Sequence, residues 1–328
     1  MKRRDFILGS AIALSPLAVQ AQQSGPMRRV GVLIGGPDNA EFRPRVTLFI
    51  ETLAQLGWIE GKNIRFDIRW NDSDPSRIAA QARELIHSKP DVLLAAPTRA
   101  LIPLQKETRT IPIVFVSVSD PLGQGIVDSL ARPSGNVTGF SNLEFSLLGK
   151  WLQLLKEISP KVRRIGLMIS TTNASSPRWF STFASVAPNL DIEPLAAPVT
   201  SQADIERVVK SLSRQPSDAL IVVGDSFVEI PATRRLIVEL VAAQRLPTLY
   251  GLLSFAADGG MICYGIEHLD PYRHAASYVS RILKGEKPSE LPVQQPTKFR
   301  FVINLKTAKA LGLEPSTTLV AAADEVIE

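Results

Sequence analysis

Three apolar segments of this chain occur twice, in the same order. Arg28-Arg29-Val30-Gly31-Val32-Leu33-Ile34 returns as Arg163-Arg164-Ile165-Gly166-Leu167-Met168-Ile169, 135 residues later. Asp91-Val92-Leu93-Leu94-Ala95-Ala96 is echoed by Asp218-Ala219-Leu220-Ile221-Val222-Val223. Ile111-Pro112-Ile113-Val114-Phe115 is echoed by Leu246-Pro247-Thr248-Leu249-Tyr250, again 135 residues apart. One echo would be chance among apolar strands. Three in register restrict the chain to two lobes of like topology in tandem. Two such lobes facing each other enclose a cleft, and a cleft is a place for a ligand.

The segments between the echoes support an α/β class. Val30 to Ile34 and Val92 to Ala95 are short continuous apolar runs, as expected of strands covered on both faces. Phe42, Val46, Phe49, Ile50, Leu53 and Leu56 recur at helical spacing and stop at Gly57. Ile64 to Ile68 alternates and predicts a strand. Asp120-Pro121 predicts the start of a further helix. Ser201, with Asp204 three residues on, predicts the start of another. The alternation implies two Rossmann-like lobes with parallel sheets and right-handed crossovers. The expected division is a leader over 1–21, a first lobe over 27–141 plus about 263–292, and a second over 142–262 plus about 293–328. Cys263, the only cysteine, falls in a strand-like run and is expected to be a buried, inert thiol.

In parallel sheets of this kind, ligands bind outside the carboxyl ends of the strands. That rule selects the loops after Ile34, Ala95, Val116, Ile169, Val223 and Tyr250. They hold Asp38, Thr98, Ser119 with Asp120, Thr172 with Asn173, and Asp225 with Ser226. Hydroxyls, amides and helix N-terminal N–H groups suit a carboxylate. An aspartate suits an ammonium. The set fits a zwitterionic or mixed-polarity small molecule better than a phosphate or a metal. Asp120, ahead of Pro121, also reads as a helix N-cap. Asp225 follows a buried strand and has no obvious capping pattern. Tyr264, beside Gly265, is a candidate hinge tyrosine touching the ligand. Arg99 reads either as a carboxylate partner or as a solvated surface residue.

The beginning of the chain points to export. Lys2-Arg3-Arg4 precedes a mostly apolar run from Phe6 to Val19 that is short for a bilayer span, and cleavage is expected after Ala21. Arg3-Arg4-Asp5-Phe6-Ile7-Leu8 resembles a twin-arginine signal; an ordinary Sec signal is the alternative. The leader accounts for two of the five net positive charges of the 328-residue chain. With no longer basic run elsewhere, nucleic-acid binding is not expected. His87, His268 and His274 lie apart, so no metal site is expected. No G-x-G-x-x-G follows the first strand, and there is no P-loop or G-x-S-x-G elbow, so neither a cofactor nor catalysis is expected.

Longer motifs carry a family resemblance. They are Leu56-Gly57-Trp58-Ile59-Glu60-Gly61-Lys62-Asn63-Ile64, Ile111 to Phe115, and Asp120-Pro121 with Gly125. Leu130-Ala131-Arg132-Pro133-Ser134-Gly135-Asn136-Val137-Thr138-Gly139 follows, then Ile282-Leu283-Lys284-Gly285. Gln295-Pro296-Thr297-Lys298-Phe299 and Val302-Ile303-Asn304-Leu305-Lys306-Thr307-Ala308 complete the set. Across nearly the whole chain after the leader, it resembles the solute-binding proteins of ABC transporters, in the tryptophan/tyrosine-type branch. The resemblance implies a type I periplasmic-binding architecture, a hinge between the lobes, and delivery of a small solute to a membrane permease with its ATPase. It also implies cleft positions for Asp120, Asn173, Asp225 and Tyr264. The chain departs from the family where a Gly-Thr pair is replaced by Ala96-Pro97-Thr98 and an Asn-Pro pattern by Ser170 to Asn173. An amino acid or related carboxylate is the leading expectation for the solute. A monomeric periplasmic receptor is therefore expected, with a periplasmic sensory module for a signalling receptor as the alternative.

Overall fold

The computed structural model describes residues 26–328, apart from Glu41, Asp72, Ser73, Leu143, Glu144, Thr172, Ser226 and His268. The expected leader, 1–21, lies outside the described residues. The first lobe runs β1 (Arg28–Ile34), α1 (Arg43–Gln55), β2 (Ile64–Trp70), α2 (Pro75–His87), β3 (Val92–Ala96), α3 (Thr98–Glu107), β4 (Ile113–Val118) and β5 (Val137–Ser141). Its strands pair in the order β2-β1-β3-β4-β5, all parallel.

The second lobe repeats the scheme. It runs α4 (Leu147–Ile158), β6 (Arg164–Ser170), α5 (Ser176–Val186), β7 (Glu193–Val199), α6 (Gln202–Leu212), β8 (Asp218–Val222), α7 (Pro231–Ala243), β9 (Thr248–Tyr250), α8 (Ser254–Ala257) and β10 (Ile262–Ile266). The chain then returns to the first lobe as α9 (Asp270–Leu283). It ends in the second with β11 (Phe299–Asn304), α10 (Leu305–Ala310), α11 (Thr317–Ala321) and β12 (Glu325–Ile327). The second sheet is ordered β12-β11-β10-β9-β8-β6-β7. Its β7-β6-β8-β9-β10 portion matches the first sheet strand for strand, and the three echoed segments occupy equivalent strands: β1 and β6, β3 and β8, β4 and β9. Among the described strands, only the β10–β11 pairing is antiparallel.

Each sheet is covered on both faces, so the central strands are apolar throughout. β3 is buried at all five positions, as is β8. In the first lobe, α1 and α9 cover one face, where Phe49, Leu53, Val279 and Leu283 join Val30 and Val32. Leu85, Leu101 and Leu104, from α2 and α3, cover the other. In the second lobe Trp151 and Leu155 of α4 pack over one face with Phe183 of α5. Ile205 and Val209 of α6, with Ile237 and Val241 of α7, pack over the other. Cys263 lies fully buried in β10, and burial pushes its thiol far up from the usual range.

Two boundaries move from their expected places. β10 pairs with β9 and β11, so Cys263 and Tyr264 belong to the second lobe and the return to the first comes at α9 rather than at about 263. Val293 still packs in the first lobe's core. Gln294 then receives the Ser141 N–H and donates its own to the Gly139 carbonyl, each at 2.9 Å, so the last crossing follows it rather than coming at about 293. The helix expected at Asp120-Pro121 is instead a turn over residues 121–125. Gly125, at φ 66°, stops it before a second turn can form.

Glycine has opposite value at two places near the hinge. Gly139 lies opposite Phe115 in the β4–β5 pairing at φ 152°, and a Cβ there would meet the Phe115 carbonyl oxygen at 2.1 Å. In α4, a Cβ on Gly149 would meet nothing closer than 4.0 Å. Gly139→Ala is therefore expected to cost about 2–4 kcal/mol in urea unfolding. Gly149→Ala is expected to gain up to about 1 kcal/mol by removing backbone freedom from the unfolded chain.

Candidate functional site

The carboxyl ends of both sheets face one cavity of about 270 Å³. That is close to the lower edge of small-molecule sites, roughly 300–1,000 Å³. Ile34, Phe42, Arg45, Ala96 to Arg99, Ile102, Ser117, Ser119, Gln124 and Tyr272 line it from the first lobe. Asn173, Ala174, Gly224, Asp225, Glu229 and Leu252 line it from the second, with Asn142 where the chain crosses. The walls mix charged and polar side chains from both lobes with a smaller apolar part formed by Ile34, Phe42, Ile102 and Leu252, so the site is more polar than small-molecule sites usually are.

In the first lobe, the loop after β3 turns at Pro97 and begins α3 at Thr98. Thr98 Oγ1 accepts the Ser119 N–H at 3.2 Å, tying the ends of β3 and β4 together. Ser119 Oγ in turn donates to Asn142 Oδ1 at 3.1 Å. Arg99 lies across Gly35, where a Cβ would sit 2.7 Å from its Cγ, so the absent side chain makes room for the arginine. Burial lowers the Arg99 pKa from its ordinary value, against the opposing effect of the Glu229 and Asp225 carboxylates across the cleft. Ser117 and Asp120 both have left-handed backbone, φ 58° and 41°. Each costs about 1–2 kcal/mol in a non-glycine residue. The strain is concentrated on the wall where β4 ends, as is common beside binding sites.

In the second lobe, Asp225 is a backbone cap. Its Oδ1 accepts the Phe227 and Val228 N–H groups at 2.7 and 3.1 Å, and its Oδ2 the Ser170 N–H at 3.2 Å. Burial raises its pKa; the three N–H groups oppose that rise and Glu229 adds to it. Capping, unrecognised in the sequence, is thus an observed role of Asp225. Asn173 Oδ1 accepts from the Ser175 N–H and hydroxyl, at 3.0 and 2.7 Å.

Among the described residues, two ion pairs bridge the lobes across the cleft, beside the Lys298–Asp270 pair at the last crossing. Arg45 of α1 meets Glu229 at 2.9 Å within the cavity, with side-chain exposures of 9% and 17%. The Arg45 guanidinium also lies over the Phe42 ring at 4.4 Å. Arg178 of α5 meets Asp120 at 2.7 Å. Arg178 is held over Phe145, which packs on Trp179, itself stacked on Trp151 at 5.4 Å.

Of the residues expected at the site, Thr98, Ser119, Asn173 and Asp225 come together around the cavity. Thr172 and Ser226 lie outside the described residues. Three others do not line it. Asp38 pairs with exposed Arg43 at 2.5 Å, which holds its carboxyl below the usual range. Asp120 turns to Arg178 and to the Gly123 N–H at 3.1 Å. Tyr264 points to another hollow, beside Glu267, Lys298 and Arg300, and stacks on Phe299 at 6.1 Å. The sequence reading missed Arg45, Glu229 and Tyr272. Arg45 sits one helical turn after Phe42 in α1, and Glu229 four residues after Asp225. Tyr272 arrives from a helix that belongs to the other end of the sequence.

Among the described residues, no group of three or more His, Cys, Asp or Glu side chains could hold a metal, and no helix is long and apolar enough to cross a membrane.

Residues 38–327 match the family described as ABC transporter substrate binding protein. A tyrosine-binding protein of Clostridioides difficile is 25% identical over 266 residues, 81% of this chain and 76% of the relative. A conserved domain protein of Vibrio cholerae superposes with a TM-score of 0.83 at 26% identity, covering 92% of this chain and 99% of that one. An ABC domain from Streptococcus pneumonia in complex with L-Trp also has a TM-score of 0.83, at 23% identity, covering 92% and 100%.

Two outcomes follow from the geometry. Asp225→Ala strands three backbone N–H groups and is expected to lower the stability of the ligand-free protein by about 1–2 kcal/mol in urea unfolding. A variant as stable as the parent would remove the capping role. A double-mutant cycle with Arg45→Met and Glu229→Gln is expected to return a coupling of about 1–3 kcal/mol. The Glu229→Gln single variant should scatter X-rays with a larger radius of gyration as the lobes separate.

Proposed function

This chain belongs to the ABC transporter substrate binding protein family, and on that premise we propose that it captures an amino acid or related carboxylate between its lobes outside the cytoplasmic membrane and presents it to a permease driven by an ATPase. The observation that carries the reading is the cavity at the facing strand ends, with contributions from both lobes and the crossing segment. A solute bound there touches both lobes at once and so favours the arrangement in which they are close. Release needs only their separation, and no covalent step is invoked.

The tyrosine-binding relative supports an amino acid or a similar acid as cargo. Export would use residues 1–21, with cleavage after Ala21, by the twin-arginine or the Sec route. Transport, and not sensing, is the reading we adopt, because the family match spans both lobes and the final strands. The receptor works as a monomer on this reading, since both walls of the cavity come from one chain.

The test is a thermal-shift panel of amino acids, aromatic and branched carboxylates, sugars and nucleosides on the purified protein, followed by uptake in cells lacking the gene. A solute at 100 times its Kd adds about 2.7 kcal/mol of stability. One chemical class is expected to stabilise the protein, and its uptake should disappear with the gene and return with it. Undiminished uptake of the stabilising solute would exclude the transport role.

A further inference from the structure

Two side-chain amides that line the cavity are each held by one end, and by the same residue. Gln124 Nε2 donates to the Ser119 carbonyl. A carbonyl only accepts, so the amide nitrogen is fixed there and Oε1 is the outer end. Ser119 Oγ donates to Asn142 Oδ1 at 3.1 Å, which makes the NH₂ group the outer end of the Asn142 amide. The backbones are held as well. The Gln124 N–H donates to the Asp120 carbonyl at 3.0 Å, and the Asn142 N–H to the Val118 carbonyl at 3.2 Å. Ser119 itself is buried, and its N–H is taken by Thr98 Oγ1.

The two outer ends are unlike. Gln124 Oε1 can only accept, and Asn142 Nδ2 can only donate. Neither has a partner among the described residues, and neither is sealed from solvent. The charged groups lining the cavity cancel, Arg45 and Arg99 against Asp225 and Glu229. Beside Ser119 the solute therefore meets a neutral acceptor and a neutral donor. A carboxylate placed there faces the Gln124 oxygen, an ammonium faces the Asn142 NH₂, and a hydrocarbon leaves both without partners. An amide edge, with one C=O and one N–H, satisfies both. The Thr98 and Ser117 hydroxyls on the same wall add donors that an amide oxygen uses as well as a carboxylate does.

We propose that Gln124 and Asn142 read a neutral amide edge on the solute, its N–H donating to Gln124 Oε1 and its carbonyl accepting from Asn142 Nδ2. The cargo is then an amino acid or related carboxylate that carries a carboxamide, ureide or lactam group. The inference rests on the receptor reading and narrows its cargo by the group that faces Ser119. It departs from the tyrosine and L-Trp of the relatives, whose side chains carry no amide. A solute without the edge leaves two polar groups unpaired in the closed cleft, and sites of that kind discriminate more sharply than apolar pockets.

Calorimetric titration with three matched pairs tests this: glutamine against glutamate, citrulline against ornithine, and pyroglutamate against cyclopentanecarboxylate. In at least one pair the amide is expected to bind about ten-fold or more tightly than its isostere. Asn142→Asp keeps the oxygen that Ser119 bonds but replaces the donor by an acceptor. It is expected to erase that margin and to improve the binding of ornithine, a gain that damage to the fold would not produce. The thermal midpoint of the free variant is recorded beside that of the parent. Isosteres that bind as tightly as their amides would overturn the proposal and leave the receptor intact. So would a margin that survives Asn142→Asp, or millimolar amides giving no heat in any pair. The receptor reading itself falls only with the uptake experiment, which does not depend on the group the solute carries.

Discussion

A parallel sheet covered on both faces has only its strand ends free. Every crossover returns behind the sheet, so the faces fill with helices and the interior strands become apolar. β3 and β8, buried at every position, are the clearest instances. Polar groups then collect where the strands stop and the chain turns towards a helix. Building the sheet twice, with the two sets of carboxyl ends facing, brings two such polar rims together around one cavity. Thr98 and Ser119 come from one rim, Asn173 and Asp225 from the other. The location of the site is thus a consequence of strand direction, before any particular side chain is considered.

The hinge follows from the same constraint. A chain that finishes β5 in one lobe and starts α4 in the other must leave its first sheet, and it does so twice more, before α9 and before β11. At the crossing, Ser141 and Gly139 share backbone hydrogen bonds with Gln294, so two of the three connections run side by side. Gly139 meets the need for close approach at this point, because a Cβ there would enter the Phe115 backbone. A side-by-side pair of short connections permits a change in the angle between the lobes while each sheet stays intact.

What could be read from the sequence was what local periodicity and repetition encode. The three echoes identified β1, β3 and β4 with β6, β8 and β9, and the strand-end rule found four residues that line the cavity. Less regular elements escaped. β7 reads Glu-Pro-Leu-Ala-Ala-Pro-Val, and its two prolines argue against a strand until its place at a sheet edge is known. α5 mixes Ser, Thr and aromatics without a clean apolar stripe. β10 was divided between lobes because nothing local marks which sheet a short apolar strand joins. Asp225 shows the limit for side chains. Two of its partners, the Phe227 and Val228 N–H groups, are local, but the Ser170 N–H is 55 residues away in sequence, and no local pattern announces that contact. Arg45, Glu229 and Tyr272 are brought to the cavity by tertiary packing alone.

Two ion pairs reach across the cleft, and this has a physical rationale in a clamp that must reopen. Apolar side chains meeting across the gap would gain about 25 cal/mol for each Å² hidden and would lose it on separation. They would also expose an oily surface to water whenever the lobes parted. An ion pair behaves otherwise. Its Coulomb attraction is largely offset by the hydration each partner gives up, so its net contribution is small. On separation both groups recover their water. Arg45 with Glu229 and Arg178 with Asp120 therefore specify the register in which the lobes meet without strongly committing the molecule to staying closed. Arg178 shows how the register is held: the stack of Trp151, Trp179 and Phe145 orients its guanidinium before Asp120 arrives. With the interlobe pairs close to balance, the contacts a solute makes with both walls become the larger influence on the equilibrium, which is what a receptor that must both capture and release requires.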